Sequence, residues 1–175
     1  MATETVQIST FDTDFGAVTV ASTENGVVCS SLPGGDAGAV RGWVQRHVDD
    51  AVFVEGGLWN AKPIKAVRDY LAGKRPGLDD VAVDMRGTTF QLKVWNELRG
   101  VPYGATISYA DLARQAGHPG ASRACGTANG SNPLPLFTPC HRVIASDGSL
   151  GGFGGGLELK RRLLELEGSL QAVEA

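Results

Sequence analysis

The sequence contains little cysteine: Cys29, Cys125 and Cys140 are the only three in 175 residues. They are widely spaced and form no C-x-x-C pair, which argues against a zinc ribbon and a thioredoxin-type redox pair. We therefore expect no metal site. An odd number of cysteines at these spacings fits a reducing compartment, with at least one thiol left free.

Long apolar runs are also missing. No stretch approaches the roughly 18 to 20 residues that span a bilayer. The opening residues, "MATETVQISTF", have neither the basic start nor the apolar centre of a signal peptide. We expect no membrane partner, no signal peptide and a cytoplasmic location.

The chain has no overall excess of positive charge. Its net charge is −3, which at first argues against a polyanionic partner. The charges are unevenly placed, however: residues 1–85 hold 7 Lys/Arg and 12 Asp/Glu, whereas residues 86–168 hold 9 Lys/Arg and 6 Asp/Glu. The second half is net positive and permits a partner such as nucleic acid.

Nucleotide-binding motifs are absent as well. The segment "GSLGGFGGG", residues 148–156, has six glycines in nine positions but matches neither G-x-G-x-x-G nor G-x-x-x-x-G-K-[ST]. No dissociable cofactor is implied. Two interpretations stay open: a close wall around a planar ligand, with Phe153 as its aromatic side chain, or a flexible connector.

The first half of the chain has a mixed pattern. Residues 5–32 hold three stretches rich in β-branched side chains, separated by "DTDFG" and "ENG", which predicts antiparallel hairpin strands. Helices are predicted over about 37–48 and in "PIKAVRDYLAGKRPG", where Pro63 lies near the first turn. "AVFVEG" is either a strand or a loop, and residues 81–85 are either a strand or the crossing between two halves.

The second half is mainly helical. Helices are predicted in "TTFQLKVWNELRG", "SYADLARQAG", "ASRACGTANGS" and "LELKRRLLELEG". In the last of these, Leu159, Leu163 and Leu166 share a face. We predict an α+β fold in two domains: an N-terminal α/β scaffold domain with an antiparallel hairpin sheet over 1–83, and a winged-helix-like C-terminal domain over 84–175.

Two of the short helices, over residues 108–131, fit a helix-turn-helix. Ser108 and Asp111 form an S-x-x-D cap at the start of the first, and "GHPG" separates it from the second. The second helix has small side chains and one long cation, Arg123. It either packs tightly inside a core or lies in a DNA groove with Arg123 reaching into the duplex. Since few of its side chains can read base edges, such binding would have little sequence preference.

The segment "PCHRVI" places Cys140 between Pro139 and His141, followed by Arg142. Nearby positive charge or a base is how proteins populate the nucleophilic thiolate at neutral pH. If the segment is extended, adjacent side chains point to opposite faces, and a water would have to relay the proton from Cys140 to His141. Glu167, in the last turn of a helix, can orient the imidazole; a solvated glutamate is the other interpretation.

These parts together resemble a known family. "PCHRVI", with "SNPLP" before it and "GGFGGG" after it, is similar to the active-site signature of the O6-alkylguanine-DNA alkyltransferases, also called methylated-DNA–protein-cysteine methyltransferases. "RGTTFQLKVWNELRGVPYGATISYADLA" looks like the segment that precedes this signature. The resemblance covers about residues 84–168.

The resemblance implies irreversible, single-turnover DNA repair. The protein would bind duplex DNA through the minor groove, flip out an O6-alkylated guanine, and transfer the alkyl group to Cys140; O4-alkylthymine is a second candidate substrate. His141, oriented by Glu167, would deprotonate the thiol through a water. Asn132 matches the asparagine that braces the active-site turn, and Tyr109 the tyrosine that assists the leaving guanine.

The resemblance also implies contact residues. Arg123 matches the arginine that fills the place of the flipped base, and its helix would present further DNA contacts. These are Ser122, Ala124, Thr127 and Ala128. The implied substrate pocket is lined by Tyr109, Pro139, Val143, Phe153 and Gly154. Thr138 and Cys125 depart from the family pattern, since both positions are usually aliphatic.

Three other functions compete with this interpretation. An alkyltransferase-like, non-catalytic module would bind alkylated DNA without transfer, although such proteins lack the cysteine that is present here. A Cys–His hydrolase would not need the small helix with Arg123. A helix-turn-helix transcription factor would need a base-reading helix face and usually a dimer. We expect a monomer that binds double-stranded DNA, and the sequence leaves cooperative binding along DNA open.

Overall fold

The computed structural model describes residues 2–170. Within this range the fold is α+β, as predicted from the sequence. The elements in chain order are β1 Glu4–Phe11, β2 Val18–Thr23, β3 Gly26–Ser30, α1 Ala37–His47, β4 Ala51–Glu55, a 3₁₀ turn Leu58–Asn60, α2 Ala61–Leu71, α3 Thr89–Arg99, β5 Ile107–Ser108, α4 Tyr109–Gln115, α5 Ser122–Gly130, a second 3₁₀ turn Cys140–Arg142, β6 Val143–Ile144 and α6 Leu157–Leu166.

The chain divides into two compact units. The first takes in the residues up to Arg86 together with Pro133–Phe137, and the second takes in Gly87–Asn132 and the residues from Thr138 onwards. This division differs from the sequence-based boundary between residues 83 and 84, most of all in the placement of Pro133–Phe137.

Hydrogen bonds and ion pairs explain the difference at the first boundary. The backbone N–H of Asp84 donates to the carbonyl of Val27 over 2.8 Å. The guanidinium of Arg86 makes ion pairs with Glu4 and Asp84 at 2.5 Å and 2.9 Å. These bonds keep residues 84–86 with the sheet of the first unit.

The first unit is built on a four-stranded sheet in the order β3-β2-β1-β4. The predicted hairpins are confirmed: β1 pairs antiparallel with β2, and β2 with β3. "AVFVEG", which the sequence left between strand and loop, forms β4 and pairs parallel with β1. Residues 81–85 form only an isolated bridge, between Val83 and Val27.

Helix α1 covers one face of this sheet. Asp36 caps its start by accepting a hydrogen bond from the N–H of Gly38. An apolar cluster joins the helix to the strands; its buried members are Val6, Ile8, Ala21, Val28, Cys29, Val40, Val44 and Val48. Burial of these apolar side chains stabilises the packing of α1 on the sheet.

The second unit is mainly helical, with β5 and β6 as its short parallel sheet. Helix α3 begins with a capping box between Thr88 and Gln91. The predicted cap of α4 is confirmed, since Ser108 Oγ accepts from the N–H of Asp111 over 3.0 Å. None of the helices in residues 2–170 has the length and apolar character that crossing a bilayer requires.

Candidate active site

Cys140 opens the 3₁₀ turn Cys140–Arg142 in the second unit, so the segment is not extended here. Its N–H donates to the carbonyl of Thr138 over 2.7 Å, and Pro139 between them fixes the backbone that enters the turn. The residue is buried, with 7% of its surface exposed. A thiol at this position is screened from bulk water.

Two asparagine side chains hold this turn in place. Asn132 Nδ2 donates to the carbonyl of Thr138 over 2.8 Å, and Asn129 Nδ2 donates to the carbonyl of Cys140 over 3.3 Å. The bracing geometry that the resemblance implied for Asn132 is therefore present. Asn129, on the buried side of α5, was not identified from the sequence.

His141 and Glu167 lie together in the interior of the second unit. His141 Nε2 is 2.8 Å from Glu167 Oε2, and both side chains are fully buried. Arg142 adds two bonds to the same carboxylate: its Nε donates to Oε1 and its Nη2 to Oε2, each over 2.8 Å. Its Nη1 donates to the carbonyl of Val101 over 2.7 Å. Arg142, which the sequence suggested only as a cation near the thiol, is a direct partner of Glu167.

This arrangement sets the charge of the carboxyl group. Burial by itself raises the pKa of Glu167, but hydrogen bonds from His141 and Arg142 and their charges outweigh burial and lower it to about 2. Glu167 is thus ionised at neutral pH. The unfavourable position of a carboxylate at a helix C-terminus, Glu167 being the C-cap of α6, is compensated by these partners.

The imidazole is kept neutral. Burial lowers the pKa of His141 below its ordinary value, and the opposing effect of Glu167 does not restore it. Since a carboxylate can only accept, Nε2 must carry the proton of the neutral ring. Nδ1 then carries the lone pair of the neutral ring, which is the form that a general base needs.

The thiol is not activated by its surroundings alone. Burial raises the pKa of Cys140, while a hydrogen bond from Asn132, the charge of Lys160 and the backbone N–H groups of Cys140 and His141 act in the opposite direction. The net direction is upward, so a proton acceptor is required before Cys140 can react as a thiolate at neutral pH.

Lys160, like Asn129, is a functional candidate that was not identified from the sequence. It is fully buried, and its ammonium group donates to the carbonyls of Val143 at 2.6 Å, of Gly152 at 3.2 Å and of Leu150. Burial lowers its pKa to about 8, with the charge of Cys140 acting against this. A signal was available in the sequence, because Lys160 lies at helical spacing from Leu163, Leu164 and Glu167, which are all buried.

The buried face of α6 is therefore rotated relative to the prediction. Leu163 is buried as expected, whereas Leu159 and Leu166 are only partly buried. The face that enters the core contains Lys160, Leu163, Leu164 and Glu167. Two of these four residues, Lys160 and Glu167, are charged, and both belong to the candidate site.

Tyr109, at the start of α4, is partly exposed. A Cβ atom built on Gly151 would lie 3.4 Å from its Cε2 and 3.5 Å from its hydroxyl, and one built on Gly126 would lie 3.8 Å from Cδ1 and Cε1. The ring is thus bordered by two glycines, one from the glycine loop and one from α5. Burial raises its pKa, and a hydrogen bond with Asn129 lowers it less strongly, so Tyr109 keeps its proton at neutral pH.

The predicted pocket residues fall into two groups. Phe153 is partly exposed and Gly154 exposed, and the Phe153 ring centre lies 5.9 Å from the ammonium of Lys160. Pro139 is buried beside Cys140. Val143, by contrast, has no exposed surface: it pairs with Ile107 in the β5–β6 sheet, so its side chain belongs to the core.

The predicted DNA contacts on α5 divide in the same way. Arg123, Ala124 and Thr127 are exposed and Ser122 is partly exposed. Ala128 was assigned wrongly, because it is buried and its carbonyl accepts a hydrogen bond from Trp95 Nε1 over 2.9 Å. Cys125 is also fully buried, and burial raises its pKa, which disfavours the thiolate. One face of α5 therefore packs in the core, and the other is exposed.

The site as a whole combines a thiol, a neutral imidazole, an ionised carboxylate and a tyrosine that carries its proton. Nucleophile, base and orienting group are the three parts that nucleophilic catalysis by cysteine uses. The residues described hold no group of three or more metal-ligating side chains.

Comparison with known proteins agrees with this geometry. The family model "6-O-methylguanine DNA methyltransferase, DNA binding domain" matches residues 89–169. A methylated-DNA–protein-cysteine methyltransferase of Methanosarcina acetivorans is 36% identical over 159 residues, which is 91% of this chain and 96% of the relative. One of Mycobacterium tuberculosis is 54% identical over 100 residues, 57% of this chain; the match spans only 60% of that relative's length.

A solved structure has the same fold. The crystal structure of M. tuberculosis OGT in complex with DNA superposes with a TM-score of 0.78 at 36% identity, covering 94% of both chains. The fold of this chain is thus that of the solved OGT structure. The chain belongs to the methylated-DNA–protein-cysteine methyltransferase family.

Proposed function

We propose that the protein repairs O6-alkylguanine in double-stranded DNA by transferring the alkyl group irreversibly to Cys140. The observation that carries this proposal is the buried series from the Cys140 turn through His141 to Glu167, all held within the second unit. Family membership supplies the substrate class, and O4-alkylthymine is a second candidate substrate.

The reaction begins with the thiol. Because burial raises the pKa of Cys140, its proton must be removed when the substrate is in place. His141, neutral and with its lone pair on Nδ1, accepts that proton through a bridging water. The ionised Glu167 stabilises the imidazolium that forms, as the orienting carboxylate of a triad does. Lys160, whose charge favours the thiolate, is the second electrostatic contribution.

The displacement then exchanges one bond for another. The Cys140 sulfur attacks the alkyl carbon, an S–C bond forms, and the C–O6 bond of the alkylguanine breaks with its electron pair going to guanine. Tyr109, which holds its hydroxyl proton at neutral pH, donates that proton to the leaving base and is reprotonated from solvent, to which the imidazolium of His141 returns the proton taken from Cys140. The thioether has no route back to a thiol, so each molecule reacts once.

The free face of α5 is the proposed contact with DNA. Arg123 is its long cation, and Ser122, Ala124 and Thr127 are small enough to let the helix approach the duplex closely. With α4 it forms the proposed helix-turn-helix. Flipping the damaged base costs a few kcal/mol, less when the pair is already weakened by alkylation. Binding through phosphates predicts an affinity that falls as salt is added.

The location and state of assembly follow from the chemistry. We place the reaction in the cytoplasm, where thiols are kept reduced. The protein acts as a monomer, since the proposed site lies within one unit of one chain. The two-domain organisation is then a scaffold unit followed by a unit for DNA binding and transfer.

Single-turnover repair tests the proposal. The protein is mixed with an excess of duplex carrying one O6-methylguanine, and the nucleosides are quantified after digestion. We expect loss of O6-methylguanine to stop at one equivalent per protein, with no loss for Cys140→Ser and an unchanged yield for Cys125→Ser. Retained lesion binding without any repair would show the non-catalytic, alkyltransferase-like function instead.

A further inference from the structure

The pentapeptide Pro133–Phe137 precedes the nucleophile segment directly, yet it belongs to the first unit. It leaves the second unit after Asn132 and returns to it at Thr138, two residues before Cys140. A hydrogen bond from Asn132 Nδ2 to the carbonyl of Thr138, 2.8 Å long, joins the two residues that flank the pentapeptide. Whatever holds the pentapeptide therefore acts on the backbone that enters the Cys140 turn.

The pentapeptide is held at the outer edge of β3. Ser30, the last residue of that strand, is buried and makes two bonds to it: its N–H donates to the carbonyl of Pro133 over 2.8 Å, and its hydroxyl to the carbonyl of Pro135 over 3.3 Å. The two prolines have no N–H to offer, so only their carbonyls can pair with an edge strand. Ser30 thus binds both prolines, Pro133 through its backbone N–H and Pro135 through its hydroxyl.

The conformation of the pentapeptide needs such support. Leu136 has φ +75°, a left-handed conformation that is rare for a side chain of this size. All five residues are buried. A strained residue of this kind persists only where its surroundings hold it, and here it lies four residues before the nucleophile.

We propose that Ser30 is a positioning residue for Cys140: by pairing with Pro133 and Pro135, it lets the first unit set the backbone from which the nucleophile turn starts. The inference rests on the proposed transfer reaction at Cys140 and assigns a part in it to a residue far away in the sequence. Ser30 touches neither substrate nor thiol, so its effect passes through the chain.

The test compares Ser30→Ala with Ser31→Ala. Ser31 is the matched control because its hydroxyl is also buried and also makes one backbone bond, accepting from the N–H of Thr19 over 2.9 Å, but has no bond to the pentapeptide. Ser30→Thr retains the hydroxyl and serves as the rescue. Each variant is checked for folding, and its free energy of unfolding is measured in urea.

Two readouts are used. The first is the rate constant of methyl transfer from a duplex with one O6-methylguanine; loss of one neutral hydrogen bond predicts a decrease of roughly 3- to 10-fold for Ser30→Ala. The second needs no DNA: the pH midpoint for modification of the Cys140 peptide by iodoacetamide. It should rise for Ser30→Ala, because the thiol moves away from the Asn132 and Lys160 groups that favour the thiolate.

Both readouts should be unchanged for Ser31→Ala and restored in Ser30→Thr. The proposal is overturned if Ser30→Ala and Ser31→Ala slow transfer equally, or if neither readout responds to Ser30→Ala. If the wild-type protein transfers no methyl group, the proposed function fails, and the iodoacetamide midpoint still decides whether Ser30 positions the thiol.

Discussion

Replacement of Glu167 by glutamine tests how the buried charges are held together. The carboxylate accepts hydrogen bonds from His141 and Arg142, and its pKa is lowered from the ordinary 4.5 to about 2. A shift of this size corresponds to about 3 kcal/mol of folding free energy at neutral pH. Glu167→Gln should lose this contribution, since the amide cannot carry the charge that the buried guanidinium faces.

The stability contributed by Glu167 should also depend on pH. The folded-state pKa lies below the unfolded value, so the contribution of Glu167 is fully present above pH 4.5 and is lost as the pH falls toward about 2. Urea unfolding at pH 7, 5, 4 and 3 should show a wild-type advantage that is constant between pH 7 and 5 and shrinks at pH 4 and 3. The rate of methyl transfer should also fall, by roughly 10²- to 10⁴-fold, because the base loses its orienting group.

Glu165→Gln is the matched control, since this residue lies on the same helix but is exposed. It should change the free energy of unfolding by less than about 0.5 kcal/mol at every pH. An advantage of wild type over Glu167→Gln that stays the same from pH 7 to pH 3 would refute the reasoning, because it would then come from packing and not from charge.

Three further substitutions have expected outcomes. Thr138→Val should stabilise the protein by about 1 kcal/mol in urea unfolding, because the buried Thr138 hydroxyl has no hydrogen-bond partner; a loss of stability would contradict this. Gly151→Ala should cost about 1 kcal/mol and slow methyl transfer, because φ +71° is strained for alanine and relief of that strain would shift the glycine loop, whose new Cβ would contact the Tyr109 ring; an unchanged transfer rate would count against this contact. Lys160→Met should slow methyl transfer by at least about tenfold and destabilise the fold by roughly 3 kcal/mol, since buried carbonyls lose their donor. Single-turnover kinetics measure the rate constant of transfer and urea unfolding measures the stability; equal rate constants for wild type and variant would exclude a role for the charge.

Local signals explain why much of the fold was predictable. The cap at Ser108 and Asp111 and the turn residues between the strands act over three or four positions, so the sequence shows them directly. The partner of β4 could not be found in this way. Its parallel pairing with β1 joins residues more than 40 positions apart, and nothing in "AVFVEG" specifies that neighbour.

The part of the site that lies in the sequence motif around Cys140 was predictable. Cys140, His141 and Glu167 were identified from the chemistry of the residues and again through the resemblance, and the last two are in contact as expected. Lys160 was missed because a lysine among arginines suggests a solvated helix face, whereas the three-dimensional fold turns it inward. Ala128 was assigned to the DNA surface because it is small, but its burial depends on Trp95 from another helix, which the local sequence does not show.

The central claim is that Cys140 takes the alkyl group from DNA. Intact mass after reaction with a duplex containing one O6-methylguanine, followed by peptide mapping, measures it most directly. The account predicts a gain of about 14 Da, one methyl in place of one hydrogen, on the peptide that contains Cys140 and on no other. No gain in mass, or a methyl group that maps to Cys29 or Cys125, would contradict it.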